Sequence, residues 1–127
     1  MKILLIEDDA FFREFYAHKF AEKNVLVEQA ANGEEGLQKI TTVAPDVILL
    51  DLVMPKKDGF DVLVEMGKLG LLNKIPVLVF STLGQPDDIE RARELGAKGF
   101  VNKSFYDFEK LYARLLEISK KLDSSTL

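Results

Sequence analysis

A length of 127 residues fits one domain, and an apolar content of 47% excludes a disordered chain. No cysteine and a single histidine exclude disulfides, thiolate metal sites and multi-histidine metal sites. A net charge of −4 argues against direct, non-specific nucleic-acid binding, and no apolar run approaches the roughly 20 residues of a membrane span.

Lys2 to Ile6 is a continuous apolar run, the pattern of a strand buried on both faces, and it ends in Glu7-Asp8-Asp9. It starts directly after Met1, with no secretory signal pattern, so a cytoplasmic location is expected. Ala10 to Glu22 predicts a helix with Phe12, Tyr16 and Phe20 on one stripe; Phe11 and Phe15 fall beside it, as surplus core or as a docking surface. Asn24 to Ala30 reads as a second strand. Asn32 is a candidate N-cap for a helix whose inner face carries Leu37 and Ile40. Val47 to Leu50 is a third, fully apolar strand that stops at Asp51; Pro55 and Gly59 follow in a loop, with Asp58 as a cap. The next helix is expected to turn Phe60, Leu63, Val64 and Gly67 inward.

Lys74 to Phe80 predicts a fourth strand, with Ser81 and Thr82 directly after it. Pro86 suits a first helical position and Gly96 the point just past that helix. Gly99 to Asn102 is a short fifth strand ending at Lys103. A last helix is expected from about Tyr106 to Lys121, with Phe108, Leu111, Leu115, Ile118 and Leu122 on one stripe. The predicted domain covers residues 1–122, and 123–127 form a polar tail.

Strands alternating with helices predict an α/β fold: a doubly wound, five-stranded parallel sheet of flavodoxin-like (βα)5 type. With right-handed crossovers the favoured strand order is 2-1-3-4-5, which brings strands 1 and 3 together at the switch point. Asp8, Asp9 and Asp51 then converge at one rim with Ser81, Thr82 and Lys103. Two carboxylates about 4 Å apart repel by about 4 kcal/mol at an effective dielectric of 20, which calls for a compensating cation. All candidate ligands are oxygens, so Mg²⁺ fits, with Mn²⁺ as a substitute. Asp51 as nucleophile, a divalent ion, the Lys103 ammonium and the Ser81 hydroxyl together suit phosphoryl transfer, which needs positioning and charge stabilisation above all.

Taken end to end, with Leu-Leu-Asp-Leu-Val-Met-Pro-Lys-Lys-Asp-Gly at its centre, the chain resembles the receiver domain of bacterial two-component response regulators, the CheY-like family. The resemblance implies that Asp51 is the phosphoacceptor and that Asp8, Asp9 and the backbone carbonyl of Val53 hold Mg²⁺ with it. It further implies that Ser81 and Lys103 bind the phosphoryl group, with Thr82 beside them, and that Phe100 is an aromatic switch. The donor would be a histidine kinase, a histidine phosphotransfer protein or a small acyl phosphate. The surface of helix 4, strand 5 and helix 5 would then change for a downstream protein target, in a monomer or a weak phosphorylation-dependent dimer. Such a chain is a signalling switch rather than a turnover enzyme.

One position departs from the family: Ser104 stands where a proline usually follows the lysine. A cis non-proline bond costs about 2.5–4 kcal/mol, so a trans Lys103–Ser104 bond and a shifted loop are expected. Ser104 with Asp107 could form a capping pair for the last helix. Val53 and Leu83 are apolar beside the site and cannot orient water, so a long-lived phosphoryl group is expected; hydrolysis faster than in receivers with polar residues there would contradict this. Val53 also lacks the second acid that a haloacid-dehalogenase-type phosphatase or a Toprim nuclease needs. Glu7-Asp8-Asp9 would repel the phosphate of a flavodoxin-type ligand. The remaining alternative is a pseudo-receiver that binds partners without phosphorylation.

Overall fold

The computed structural model describes residues 1–82, 84–104 and 107–125, with 120–125 described as backbone only. Strands and helices alternate without exception: β1 (Lys2–Ile6), α1 (Ala10–Ala21), β2 (Leu26–Ala30), α2 (Gly33–Val43), β3 (Val47–Leu50), α3 (Gly59–Lys68), β4 (Val77–Ser81), α4 (Pro86–Glu94), β5 (Gly99–Asn102) and α5 (Phe108–Ser125). All pairings are parallel and the sheet order is β2-β1-β3-β4-β5, as the sequence predicts.

The apolar strands are central and the mixed ones lie at the edges. β3 and β4 are buried throughout and β1 nearly so, whereas β2 alternates and β5 is half-buried. Strand alternation divides the core in two. Leu4, Ile6, Ile48 and Leu50 face α2 and α3, while Ile3, Leu5, Val47 and Leu49 face α1 and α5.

Capping follows the local chemistry. Asn32 caps α2 by accepting the Glu35 amide, and Asp58 caps α3 in a reciprocal capping box with Asp61. Three expectations shift. β2 begins at Leu26, because Asn24 adopts φ 60 in the turn after α1. β4 begins at Val77, because the amides of Lys74 and Ile75 both turn back to the Leu71 carbonyl. The inner face of α3 is Phe60, Leu63, Val62 and Met66; Val64 and Gly67 are exposed, since a start at Gly59 turns the 59-62-63-66 row to the sheet.

The expected start of the last helix at Tyr106 lies outside the described residues. Asp107 caps α5, accepting the Lys110 amide at 2.8 Å, and the Ser104 amide donates to Asn102 Oδ1. The helix runs to Ser125, into the stretch expected to be a tail. Among the described residues, no helix is long and apolar enough to cross a membrane.

Candidate functional site

The ladder hydrogen bonds continue one residue past three strands. The Glu7 amide donates to Ala30 O, the Asp51 amide to Ile6 O and the Lys103 amide to Ser81 O, each at 3.0 Å. Parity then decides which way the side chains point. Glu7 follows Ile3 and Leu5, Asp51 follows Val47 and Leu49, and Lys103 follows Val101, all on the α1–α5 face. The β1–β3 register pairs Ile6 with Leu50, which sets Glu7 level with Asp51.

These three side chains meet below the surface, with only 4%, 6% and 6% of the Glu7, Asp51 and Lys103 side chains exposed. The Lys103 ammonium donates a short hydrogen bond to Glu7 Oε2 and lies 3.5 Å from Asp51 Oδ2. The other carboxylate oxygen of Asp51 accepts its neighbour Leu52's amide at 2.8 Å, with the Val53 amide at 3.5 Å. Gly59 closes the loop from below: a Cβ there would lie 2.4 Å from the Asp51 carbonyl oxygen, so only glycine permits this approach. Among the described residues, two aromatic rings flank the ammonium, Phe12 at 4.9 Å and Phe80 at 5.6 Å from their centroids.

Burial dominates the electrostatics. It raises the Glu7 carboxyl from 4.5 to about 7; the Asp51 charge adds to this and the Lys103 contact only partly opposes it. Burial, with the Glu7 charge, likewise pushes the Tyr16 phenol up to about 12, so it stays neutral.

Of the residues singled out in the sequence, Asp8, Asp51 and Lys103 converge as expected. Asp9 does not. Its carboxylate caps α1, accepting the amides of Phe11 and Phe12, and Glu7 takes the place expected for it: carboxylate oxygens of Glu7, Asp8 and Asp51 lie within 4.8 Å of one another. The placement of Glu7 was open to sequence reasoning, because Glu7 has the parity of Ile3 and Leu5, whereas Asp9 begins a helix. Ser81 is fully buried at the end of β4, and Thr82 is exposed just beyond it. Val53 is 54% exposed, and Leu83 lies outside the described residues. Phe100 points to the opposite face, where it packs against the α2–α4 core and lines a hollow of about 220 Å³ with Ile89, Ala92 and Arg114. The Lys103–Ser104 bond is trans.

Three hard oxygen donors, one of them held partly protonated by burial beside a second carboxylate, suit a divalent cation better than they suit one another. The fold and this acidic rim define a receiver-type α/β domain. A family model described as response regulator receiver domain matches residues 3–116, and the chain belongs to that family.

The chain is 38% identical over 130 residues to the transcriptional regulatory protein CiaR of Streptococcus pneumoniae, covering 100% of this chain and 56% of CiaR. It spans about half the length of the curated transcriptional regulators it matches. It is also similar to the N-terminal domain of a Wolinella succinogenes protein (TM-score 0.84, 30% identity, 100% and 99% of the two chains covered). A third similarity is to a chain of the CheX–CheY–BeF₃–Mg²⁺ complex of Borrelia burgdorferi (TM-score 0.84, 26% identity, 93% and 88% covered).

Proposed function

We propose that this receiver domain is a phosphoacceptor switch in which Asp51 takes a phosphoryl group from a histidine kinase, a histidine phosphotransfer protein or a small acyl phosphate. The observation that carries the reading is the buried Lys103 ammonium set between Glu7 and Asp51 at the switch point of the sheet. An Asp51 carboxylate oxygen forms a new P–O bond as the donor's P–N or acyl P–O bond breaks, and the electron pair leaves on the donor atom. Lys103 offers donors to the phosphoryl oxygens, as does the Ser81 hydroxyl, with Thr82 at the rim. Glu7, Asp8 and Asp51 would hold Mg²⁺ (or Mn²⁺), with the Val53 carbonyl a further oxygen; the ion supplies charge neutralisation on the phosphoryl group. The Borrelia relative, whose complex holds both BeF₃ and Mg²⁺, supports this chemistry.

The readout is a change in the α4–β5–α5 surface, with Phe100 as its aromatic switch. The domain then acts on a downstream protein in the cytoplasm, as a monomer or a weak phosphorylation-dependent dimer, and not by binding nucleic acid itself. The test is intact mass after incubation with acetyl phosphate and Mg²⁺. Wild type gains one phosphoryl group, and neither Asp51→Asn nor an EDTA-treated sample gains it. Should wild type stay unmodified while it demonstrably binds Mg²⁺, the domain is a phosphorylation-independent binding module.

A further inference from the structure

The residue after Lys103 is Ser104 in an ordinary trans linkage, so no proline ring stiffens the backbone at this point. A lysine carries about 2 kcal/mol of rotamer entropy, and its ammonium is a mobile point charge unless something confines it. Glu7 and Asp51 attract it, but both are partners it must be able to leave if its donors are to serve another oxygen. The aromatic rings have no such conflict. A π face attracts the cation without occupying an N–H donor as a carboxylate would.

The structure assigns this confining role to Phe12. Its ring centroid is the nearer of the two to Lys103 Nζ, at 4.9 Å against 5.6 Å for Phe80. The ring is itself fixed. Tyr16 stacks on it at 6.0 Å with planes 6° apart, and Phe11 meets it edge-on at 6.2 Å. Tyr16 in turn meets Phe80 edge-on at 5.2 Å, which closes an aromatic bracket from α1 to β4 around the lysine. The bracket also accounts for part of the aromatic excess of α1: Phe11, 74% exposed, buttresses the ring that touches Lys103. Phe12 is therefore a positioning residue that holds the Lys103 ammonium over Asp51. The role rests on the reading of Asp51 as phosphoacceptor.

The test separates ring electronics from ring packing in the full chain. Phe12 is replaced by pentafluorophenylalanine, which keeps the shape but reverses the quadrupole, and separately by leucine and tyrosine. Phosphorylation by acetyl phosphate with Mg²⁺ is followed by intact mass, and the Lys103 side-chain ¹H–¹³Cε signal by NMR. Phe12→Leu and the fluorinated variant are expected to slow phosphorylation roughly five- to tenfold. Phe12→Tyr stays within about twofold of wild type. The ring-current displacement of the Lys103 signal, present in wild type and Phe12→Tyr, falls in Phe12→Leu to the smaller part that Phe80 supplies. A fluorinated variant that reacts at the wild-type rate overturns the role, because the ring then only packs; so does a Lys103 signal unmoved in Phe12→Leu. A wild type that takes no phosphoryl group overturns the reading of Asp51 and this role with it. In that case the NMR signal still reports whether the contact exists.

Discussion

On the face covered by α2, α3 and α4 the core is aliphatic, built from Leu4, Ile6, Ile40, Ile48, Leu50, Leu63 and Met66, with Phe60 the one buried aromatic among its described residues. On the face covered by α1 and α5 it is aromatic: Tyr16, Phe20 and Phe80 are buried, with Phe12, Phe108 and Tyr112 packed against them. Cations collect on the second face. Among the described residues, Lys19 lies over Phe108, Lys23 over Tyr112 and Lys103 over Phe12 and Phe80, against one such contact, Arg91 over Phe60, on the first. An aliphatic core excludes charge and supplies adhesion alone. An aromatic core can border a charged site, because ring faces accept cations without offering a competing hydrogen-bond acceptor. The candidate site opens on the aromatic face, where its lysine needs such neighbours.

Truncation deep in each face breaks the comparison most severely. Phe20 is fully buried and meets Phe108 and Tyr112 at 4.9 and 6.5 Å. Phe20→Ala should cost about 3–5 kcal/mol in urea unfolding, and Leu63→Ala on the other face about 2–5 kcal/mol. The faces separate in a second readout. Phe20→Ala loosens the α1–α5 contact that carries Phe12 and Tyr16, so its surviving folded fraction should also phosphorylate more slowly. Leu63→Ala should leave the rate of its folded fraction unchanged. Equal rates in both variants would mean that the aromatic face is only a core.

The sequence carried most of this architecture because hydrophobic period and turn chemistry agree along it. The apolar runs at Lys2–Ile6 and Val47–Leu50, the Asn32 and Asp58 caps, and Pro86 at the start of α4 each have one reading. What escaped was rotation and parity. The face of α3 depends on where its first turn begins, and Val64 is as apolar as the residues that are buried. Three consecutive acids likewise look interchangeable until the strand's alternation is followed through Glu7 and the helix cap is given to Asp9. The cation–ring contacts were not legible at all, because they join residues as far apart as Phe12 and Lys103 through the register of a sheet.

Glu7 sharpens the comparison through pH. Its folded value of about 7 lies above the ordinary 4.5, so between those values the folded protein holds a proton that the unfolded chain has released. Stability from this group is therefore lost as pH rises from about 4.5 to about 7. Glu7→Gln mimics the protonated form. In metal-free buffer its stability advantage over wild type should be near zero at pH 4, grow through that window, and level off at about 1–3 kcal/mol by pH 8. A constant difference across the range would show that burial does not control Glu7.

The smallest effect concerns the exposed end of the aromatic face. Lys23 Nζ is 3.0 Å from Glu109 and 5.5 Å from the Tyr112 centroid, with 35% of the lysine and 70% of the glutamate side chain exposed. In water each contact is worth about 1 kcal/mol or less. The two respond differently to salt. The ion pair joins two solvent-exposed charges and is screened as the Debye length shrinks to about 3 Å at 1 M, whereas the ring contact involves a short-range quadrupole and persists. Double-mutant cycles with Lys23→Met against Glu109→Gln and against Tyr112→Leu should each give a coupling of about 0.3–1 kcal/mol in low salt. At 1 M NaCl the Glu109 coupling should fall towards zero while the Tyr112 coupling keeps most of its value. If both vanish together, the rings hold Lys23 only by way of its carboxylate partner, and the capacity of this face to hold cations is confined to the buried bracket around Lys103.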